Sequence, residues 1–282
     1  MIDTRSLYPF RKKLREYDEN EGLLLALNNY TYAFLKQNLF SYAWDYLAKN
    51  VWVHILMRPL QEKNNASSDL IFSVLAGIYN KKDLPYLYAY IEITYNSLAM
   101  FQDELPFQIS AHLDSDFESG VNDILSRFNT GLTLCSGYII EGLDIVARQG
   151  IETALEVTDP ASKSIRTALN AISINGSQDA DLCIREAACA VEYTIKERMN
   201  VNTLSDGTKK LIKENINNGG KNIHGVLLKS LERFYDYTSD TARHAATKQL
   251  TIEEAHLALG LSAAWVNFLR KFLPEKSEDG NP

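Results

Sequence analysis

Apolar residues recur three or four positions apart along most of this chain, which is the period of an amphipathic α-helix. In the first half the pattern predicts helices over residues 23–36, 41–57, 69–80, 86–98 and 116–129, with a loop over 101–115. In the second half it predicts helices over residues 149–157, 161–172, 180–198, 207–216 and 252–272. Asp114 or Ser115 and the Asp159-Pro160 pair supply start signals for two of them. The result is a mainly α fold.

One segment departs from the helical period and predicts a small β-hairpin near residues 133–146. The runs Thr133–Ile140 and Leu143–Val146 are rich in apolar and β-branched residues and flank the dipeptide Glu141-Gly142. A glycine at that place permits the positive φ that a two-residue hairpin loop needs. Because an isolated hairpin is only marginally stable, it is predicted to pack on the helices.

A further helix is predicted to begin at Asn222. Its inward face is predicted to consist of Ile223, Val226, Leu227, Ser230, Leu231 and Phe234. The turn and cap formers at 237–240 predict that this helix ends there. Arg243 and His244 would then lie in the connection that precedes the last helix.

The domain boundary is predicted at the polar segment 174–179, which separates two groups of helices. Residues 1–175 would form a helical N-terminal domain that carries the hairpin. Residues 179–273 would form a bundle of four or five helices, and 274–282 would be a disordered tail.

The charge distribution is compatible with a nucleic-acid partner for the second half but does not indicate one. The whole chain of 282 residues has a formal net charge of −7, which argues mildly against a broad nucleic-acid-binding face. Between Asp179 and Leu273, however, 13 Lys and Arg residues nearly balance 12 Asp and Glu residues. The excess of acidic residues therefore lies outside this segment.

Three sequence features predict where the protein is located and whether it binds a metal. They are the cysteine spacing, the histidine spacing and the length of the apolar runs. Three cysteines, without C-x-x-C spacing, predict buried thiols in a reducing compartment, and hence a cytoplasmic protein. No signal peptide and no membrane span are expected. The five histidines are scattered, so no metal site and no cofactor are predicted.

The best chemical candidates are Arg243 and His244, with His224 as a further candidate. Arg supplies a fixed cation, and His titrates near neutral pH. Two structural alternatives stay open: Arg243 could pair with Asp236 or Asp240, and His224 could cap a backbone carbonyl. Three lysines are candidates for contact with a phosphate backbone, although such a run is more often a solvated helix face; they are Lys209, Lys210 and Lys213.

Several segments in the second half resemble the HEPN helical domain of AbiJ-type abortive-infection (phage-defence) proteins. They are Ile184–Glu192, Asn222–Gly225, Phe234–Asp240, Ala242–Ala245 and Ser262–Phe268. Earlier segments resemble the N-terminal domain that accompanies it; they are Arg127–Asn129, Ser136–Ile140 and Ile151–Ala154.

The resemblance implies a metal-independent endoribonuclease that acts as a homodimer, with its active site at the interface between two bundles. It also implies RNA as substrate, with tRNA among the candidates, and an antitoxin or other defence-system protein as a candidate partner. The family's motif is an Arg followed, after four to six residues, by a His, and here no His follows Arg243 at that spacing. Either Arg243 acts with the adjacent His244, with His224 as a further group, or the protein is an inactive HEPN dimer that binds RNA, a nucleotide or a protein.

Overall fold

The computed structural model describes residues 8–38, 41–57, 68–102, 112–217, 223–244 and 250–273. Its first half contains α1 (Tyr8–Asn38), α2 (Ser41–Asn50), a π-helical segment (Val51–Ile55), α3 (Ser68–Lys81), α4 (Leu84–Gln102), α5 (Leu113–Arg127), β1 (Leu132–Cys135) and β2 (Tyr138–Glu141). Its second half contains α6 (Ile145–Leu155), α7 (Pro160–Ile172), α8 (Ala180–Met199), α9 (Leu204–Asn217), α10 (Gly225–His244) and α11 (Ile252–Phe272). The predicted mainly α fold with one small hairpin is confirmed.

The chain divides into two compact units, residues 1–141 and 142–282. The sequence pattern had suggested a boundary at 174–179 instead, between α7 and α8. The difference arises because α8 packs against α7 more extensively than any other two helices pack. The polar segment 174–179 is therefore a turn inside the second unit. The predicted tail, 274–282, lies outside the described residues.

The first unit is built around α4, which contacts α1, α2, α3 and α5. Its core includes the fully buried Tyr90 of α4. One predicted cap is wrong: α5 begins at Leu113 after His112, which has φ 93° and makes no side-chain cap, so neither Asp114 nor Ser115 is the capping residue. Most of the loop predicted over 101–115 lies outside the described residues.

The hairpin is present, but its turn lies five residues earlier than predicted. The strands pair antiparallel from Leu132 opposite Glu141 to Cys135 opposite Tyr138. The loop is Ser136-Gly137, with φ 48° and 88°, as a two-residue turn with two positive φ values requires. The predicted second strand, 143–146, instead leads into α6, whose first turn is capped by the carboxylate of Asp144.

Side chains from α4 and α5 cover the two outer edges of the hairpin. Glu92 of α4 accepts a hydrogen bond from the Ile139 N–H at 2.7 Å. The Asn122 side chain of α5 pairs with both backbone groups of Leu134, accepting from its N–H at 2.7 Å and donating to its carbonyl at 2.9 Å. A two-stranded sheet leaves both edges unpaired, so these contacts satisfy groups that would otherwise need water.

We predict that Asn122→Leu lowers the free energy of unfolding by about 2–3 kcal/mol, because Leu134 loses a donor and an acceptor at a partly buried site. Ser126→Ala, an exposed change on the same helix, should alter it by less than about 0.5 kcal/mol. Urea denaturation monitored by circular dichroism measures both. Equal midpoints for the two variants would show that the hairpin edge does not depend on Asn122.

The second unit is organised around α8, which contacts α7, α9, α10 and α11. Helix starts are defined by side-chain caps, because the carboxylates of Asp159 and Asp179 accept backbone N–H bonds at α7 and α8. Thr251 and Glu254 form a reciprocal capping box at the start of α11. The predicted Asp159-Pro160 start signal is confirmed. No helix in the described ranges has the length and apolar character to cross a membrane.

Helix α10 does not end at 237–240, so the predicted break there is wrong. The helix continues to His244, and Thr238 is buried and donates its hydroxyl hydrogen bond to the Tyr235 carbonyl at 3.0 Å. The hydroxyl is thus satisfied inside the helix and does not terminate it. The predicted inward face is confirmed in part, because Ile223 and Leu231 are buried. Val226 and Leu227 are instead exposed, and Leu228, which lies outside the predicted face, is buried.

Candidate functional site

Arg243 and His244 lie in the last turn of α10 and not in a connection between helices. The backbone at these positions is helical, and their side chains lie outside the described residues. Being adjacent in a helix, the two residues are separated by about 100° around its axis. The structure therefore places the pair at the C-terminal end of α10, directly before the segment that leads to α11.

His224 is at the opposite end of the same helix. Its side chain is exposed, and its Nδ1 accepts a hydrogen bond from the Val226 N–H at 3.3 Å. Its carbonyl accepts from the N–H groups of Leu227 and Leu228 at 2.8 and 3.3 Å. A 20-residue helix is about 30 Å long. Within one chain, the structure does not bring His224 together with Arg243 and His244.

The three lysines of α9 do not share one environment. Lys209 and Lys213 are exposed and lie one helical turn apart. The ammonium group of Lys210 donates to the Met199 carbonyl at 2.7 Å, where α8 ends. A cation at this position satisfies a terminal carbonyl and opposes the negative end of the helix dipole. Lys210 thus has a structural contact that Lys209 and Lys213 do not show.

Two further cations are candidates that sequence reasoning did not select. Lys229 and Arg233 are exposed on α10, one turn apart, and Tyr237 follows one turn later with 36% of its surface exposed. Because α9 and α10 pack against each other, two pairs of exposed cations lie on neighbouring helices. Exposed Asp206, Glu232 and Asp236 are interspersed among them. The spacing of Lys229 and Arg233 was visible in the sequence, but their exposure depended on which face of α10 packs inward.

The cysteines have the character of buried apolar residues. Cys135 and Cys183 are buried, and burial raises the pKa of the Cys183 thiol to about 12. The half-buried Cys189 also has a raised pKa, mainly through desolvation. A thiol that stays protonated at neutral pH is a poor nucleophile. Among the described residues, no three His, Cys, Asp or Glu side chains are grouped as metal ligands would be.

An open cleft lies within each of the two units. In the first unit, a cleft of about 590 Å³ is lined by Trp52 of the π-helical segment, by Leu56 directly after it, and by Lys81 and Tyr86. In the second unit, an apolar groove of about 470 Å³ runs between α6 and α11. His224 and the three α9 lysines line neither of these two clefts.

Comparison with known proteins finds no match, whether with family models, with curated proteins or with solved structures.

Proposed function

We propose that this protein is an AbiJ-type HEPN endoribonuclease of antiphage defence, which cleaves RNA with Arg243 and His244 and acts in the cytoplasm as a homodimer. The observation that carries the proposal is the placement of the segments that resemble the HEPN domain. Ile184–Glu192 lies on α8, Phe234–Asp240 on α10 and Ser262–Phe268 on α11, and α8 packs against both of the other helices. Segments separated by up to about 70 residues in sequence thus belong to one bundle, as a shared domain requires. An antitoxin or another defence-system protein is the proposed partner.

In the proposed reaction the ribose 2′-oxygen loses its proton and bonds to the phosphorus. The bond between the phosphorus and the 5′-oxygen breaks, and the leaving 5′-oxygen takes up a proton. His244 is proposed as the group that moves these protons, since its ordinary pKa is close to neutral. Arg243 is proposed to bind the phosphate through two parallel N–H donors and to stabilise the charge that develops on it. Helix α10 supports both roles by holding the two residues at fixed relative positions.

The experiment is cleavage of purified tRNA and total RNA in EDTA by wild type, Arg243→Ala, His244→Ala and His224→Ala. We expect the first two variants to lose activity and His224→Ala to retain it, since α10 separates His224 from the pair by about 30 Å. Loss of activity in His224→Ala would mean that a partner chain supplies this histidine. Equal cleavage by wild type and the Arg243 and His244 variants would contradict the site.

The second candidate is an inactive HEPN dimer that binds RNA, a nucleotide or a protein. The observation in its favour is the absence of a His four to six residues after Arg243. Wild type that binds RNA in the same assay without cleaving it would favour this candidate.

RNA binding, which both candidates allow, gives a separate prediction for the α9 lysines. Replacing Lys209 and Lys213 with Gln should weaken binding and reduce the slope of log K against log salt by about 1–2, because fewer counterions are released. Lys210 is left in place because it contacts the end of α8. Lys163→Gln with Arg166→Gln, two exposed cations of α7, is the matched control. An equal slope for wild type and the Lys209/Lys213 variant would remove these lysines from the RNA site.

A further inference from the structure

Helix α11 carries an exposed stripe that begins with an acidic residue, is apolar in the middle and ends with a basic residue. Its positions lie within about 100° of the helix circumference. Glu253 begins the stripe, Lys271 ends it, and both are exposed. Every position between them in this sector is apolar: Leu257, Gly260, Leu261, Ala264 and Phe268.

The middle of this stripe exposes more apolar surface than a solvated helix face usually does. Leu257 is 64% exposed and Leu261 is 42% exposed. Beside them, α6 presents Val146, which is 73% exposed, at the rim of the groove between α6 and α11. The adjacent Ile145 is 64% exposed. Contiguous exposed apolar surface of this kind marks an interaction site.

The charges at the two ends of the stripe indicate which kind of protein surface can bind to it. A second copy of α11 can lie antiparallel on the stripe of the first, with the two-fold axis crossing the helix at the level of Ser262. Glu253 of each chain then meets Lys271 of the other. Leu257 then meets Phe268, and Gly260 and Leu261 meet Ala264. A two-fold interface requires such a self-complementary surface. A parallel arrangement would instead place like charges together at both ends.

The small residues lie where the two helices would cross. Gly260 and Ala264 are close to the proposed axis, so the two backbones can approach closely there. Within its own chain Gly260 is already near α6, because a Cβ added to it would be 3.3 Å from the Ala147 Cβ. A larger side chain at this point would hold the second copy away.

We propose that the α11 stripe, together with the adjoining rim of α6, binds a second copy of this chain in an antiparallel two-fold dimer. The proposed binding partner is thus an identical α11 stripe running in the opposite direction, so that its apolar centre meets the apolar centre and each charged end meets the opposite charge. Because the paired helices are antiparallel, the Arg243-His244 segments that precede them lie at opposite ends of the pair. This interface is therefore separate from any cleft shared by two Arg243-His244 pairs, and it does not depend on the proposed RNA cleavage.

Charge reversal tests the arrangement in the full-length chain. In Glu253→Lys, two Lys–Lys contacts replace two Glu–Lys contacts, and in Lys271→Glu two Glu–Glu contacts do so. Each variant alone should dimerise on the order of tenfold more weakly than wild type at low salt. When the two variants are mixed in equal amounts, each mixed pair regains two contacts between opposite charges. The mixture should therefore dimerise about as well as wild type.

Sedimentation velocity over the micromolar concentration range measures the dimer fraction, since a surface of one helix and a rim is at the small end of stable interfaces. Leu257→Asp should abolish association through α11 and leave at most the association through a cleft shared by two Arg243-His244 pairs. Its circular dichroism should match wild type because the side chain is largely exposed. Arg166→Ala, an exposed change on α7, should leave sedimentation unchanged. A monomeric wild type, dimers that all three stripe variants leave intact, or a mixture no stronger than its components would each overturn the proposal.

Discussion

Replacing Arg270 with alanine is expected to lower the free energy of unfolding by about 3–5 kcal/mol. The guanidinium of this α11 residue donates to the Ala154 carbonyl at 2.6 Å, to both carboxylate oxygens of Asp159 at 2.8 and 2.7 Å, and to the Ser162 hydroxyl at 3.0 Å. The Arg270 and Asp159 side chains are only 9% and 15% exposed. The substitution would leave the Asp159 charge buried without its cation and the end of α6 without a donor, and this unpaired charge accounts for most of the cost.

Thermal and urea denaturation of the full-length protein measure this loss. The matched control is Arg185→Ala on α8, whose guanidinium is 48% exposed and pairs with Asp181 one turn away at 3.0 Å. An exposed pair of this kind contributes about 0.3–0.5 kcal/mol. Arg270→Lys should fall between the two, because an ammonium keeps the charge but cannot donate to all three partners in the same geometry. Comparable losses for Arg270→Ala and Arg185→Ala would show that the Arg270 network is not a major contributor to stability.

Gly176→Ala is the second change with a large expected effect, about 3 kcal/mol of destabilisation. A Cβ at this position would lie 1.8 Å from the Asn170 carbonyl oxygen and 2.8 Å from the Ser173 hydroxyl. The first of these is backbone at the end of α7, so no side-chain rotation relieves the overlap. The turn would have to open, and the Gly176 N–H bond to the Ser173 carbonyl, now 2.9 Å, would be strained.

Gly150→Ala supplies the matched control in the same unit. It lies within α6, and a Cβ added there meets no atom within 4 Å. Since alanine favours a helix over glycine, this variant should be more stable by up to about 1 kcal/mol. The two variants are compared by urea denaturation in dilute protein, where self-association is minimal. If both glycines tolerate alanine equally, the close approach of residue 176 to the end of α7 is wrong.

Local signals predicted the helices best where a cap and a long amphipathic pattern agree. Helix α11 occupies the predicted range 252–272, and α8 differs from its prediction by one residue, because Thr251 and Asp179 cap them. The predicted hairpin turn was wrong because two dipeptides that can form a two-residue turn, Ser136-Gly137 and Glu141-Gly142, lie close together in the sequence. The turn at Ser136-Gly137 is stabilised by contacts from α4 and α5 that cannot be read from the sequence. One of them is the hydrogen bond that the Asn96 side-chain amide donates to the Gly137 carbonyl.

Tertiary contacts explain most of what the sequence could not predict. The turn formers at 237–240 remain helical because Thr238 packs inward and satisfies its own hydroxyl. Arg270 and Asp159 are 111 residues apart, so no local pattern relates them. The candidate site was predictable as residue types, but not as an arrangement. His224 and Arg243 lie at opposite ends of one helix because α10 is continuous through 237–240.

The central claim is that Arg243 takes part in RNA cleavage, and the ratio of two initial rates tests it most directly. Wild type and Arg243→Ala are compared on one end-labelled RNA in EDTA, with circular dichroism to establish that both are folded. Removing a group that stabilises developing charge costs about 100- to 1,000-fold in rate. We predict a ratio in this range. A ratio of one, or wild type that leaves the RNA intact, would contradict the claim.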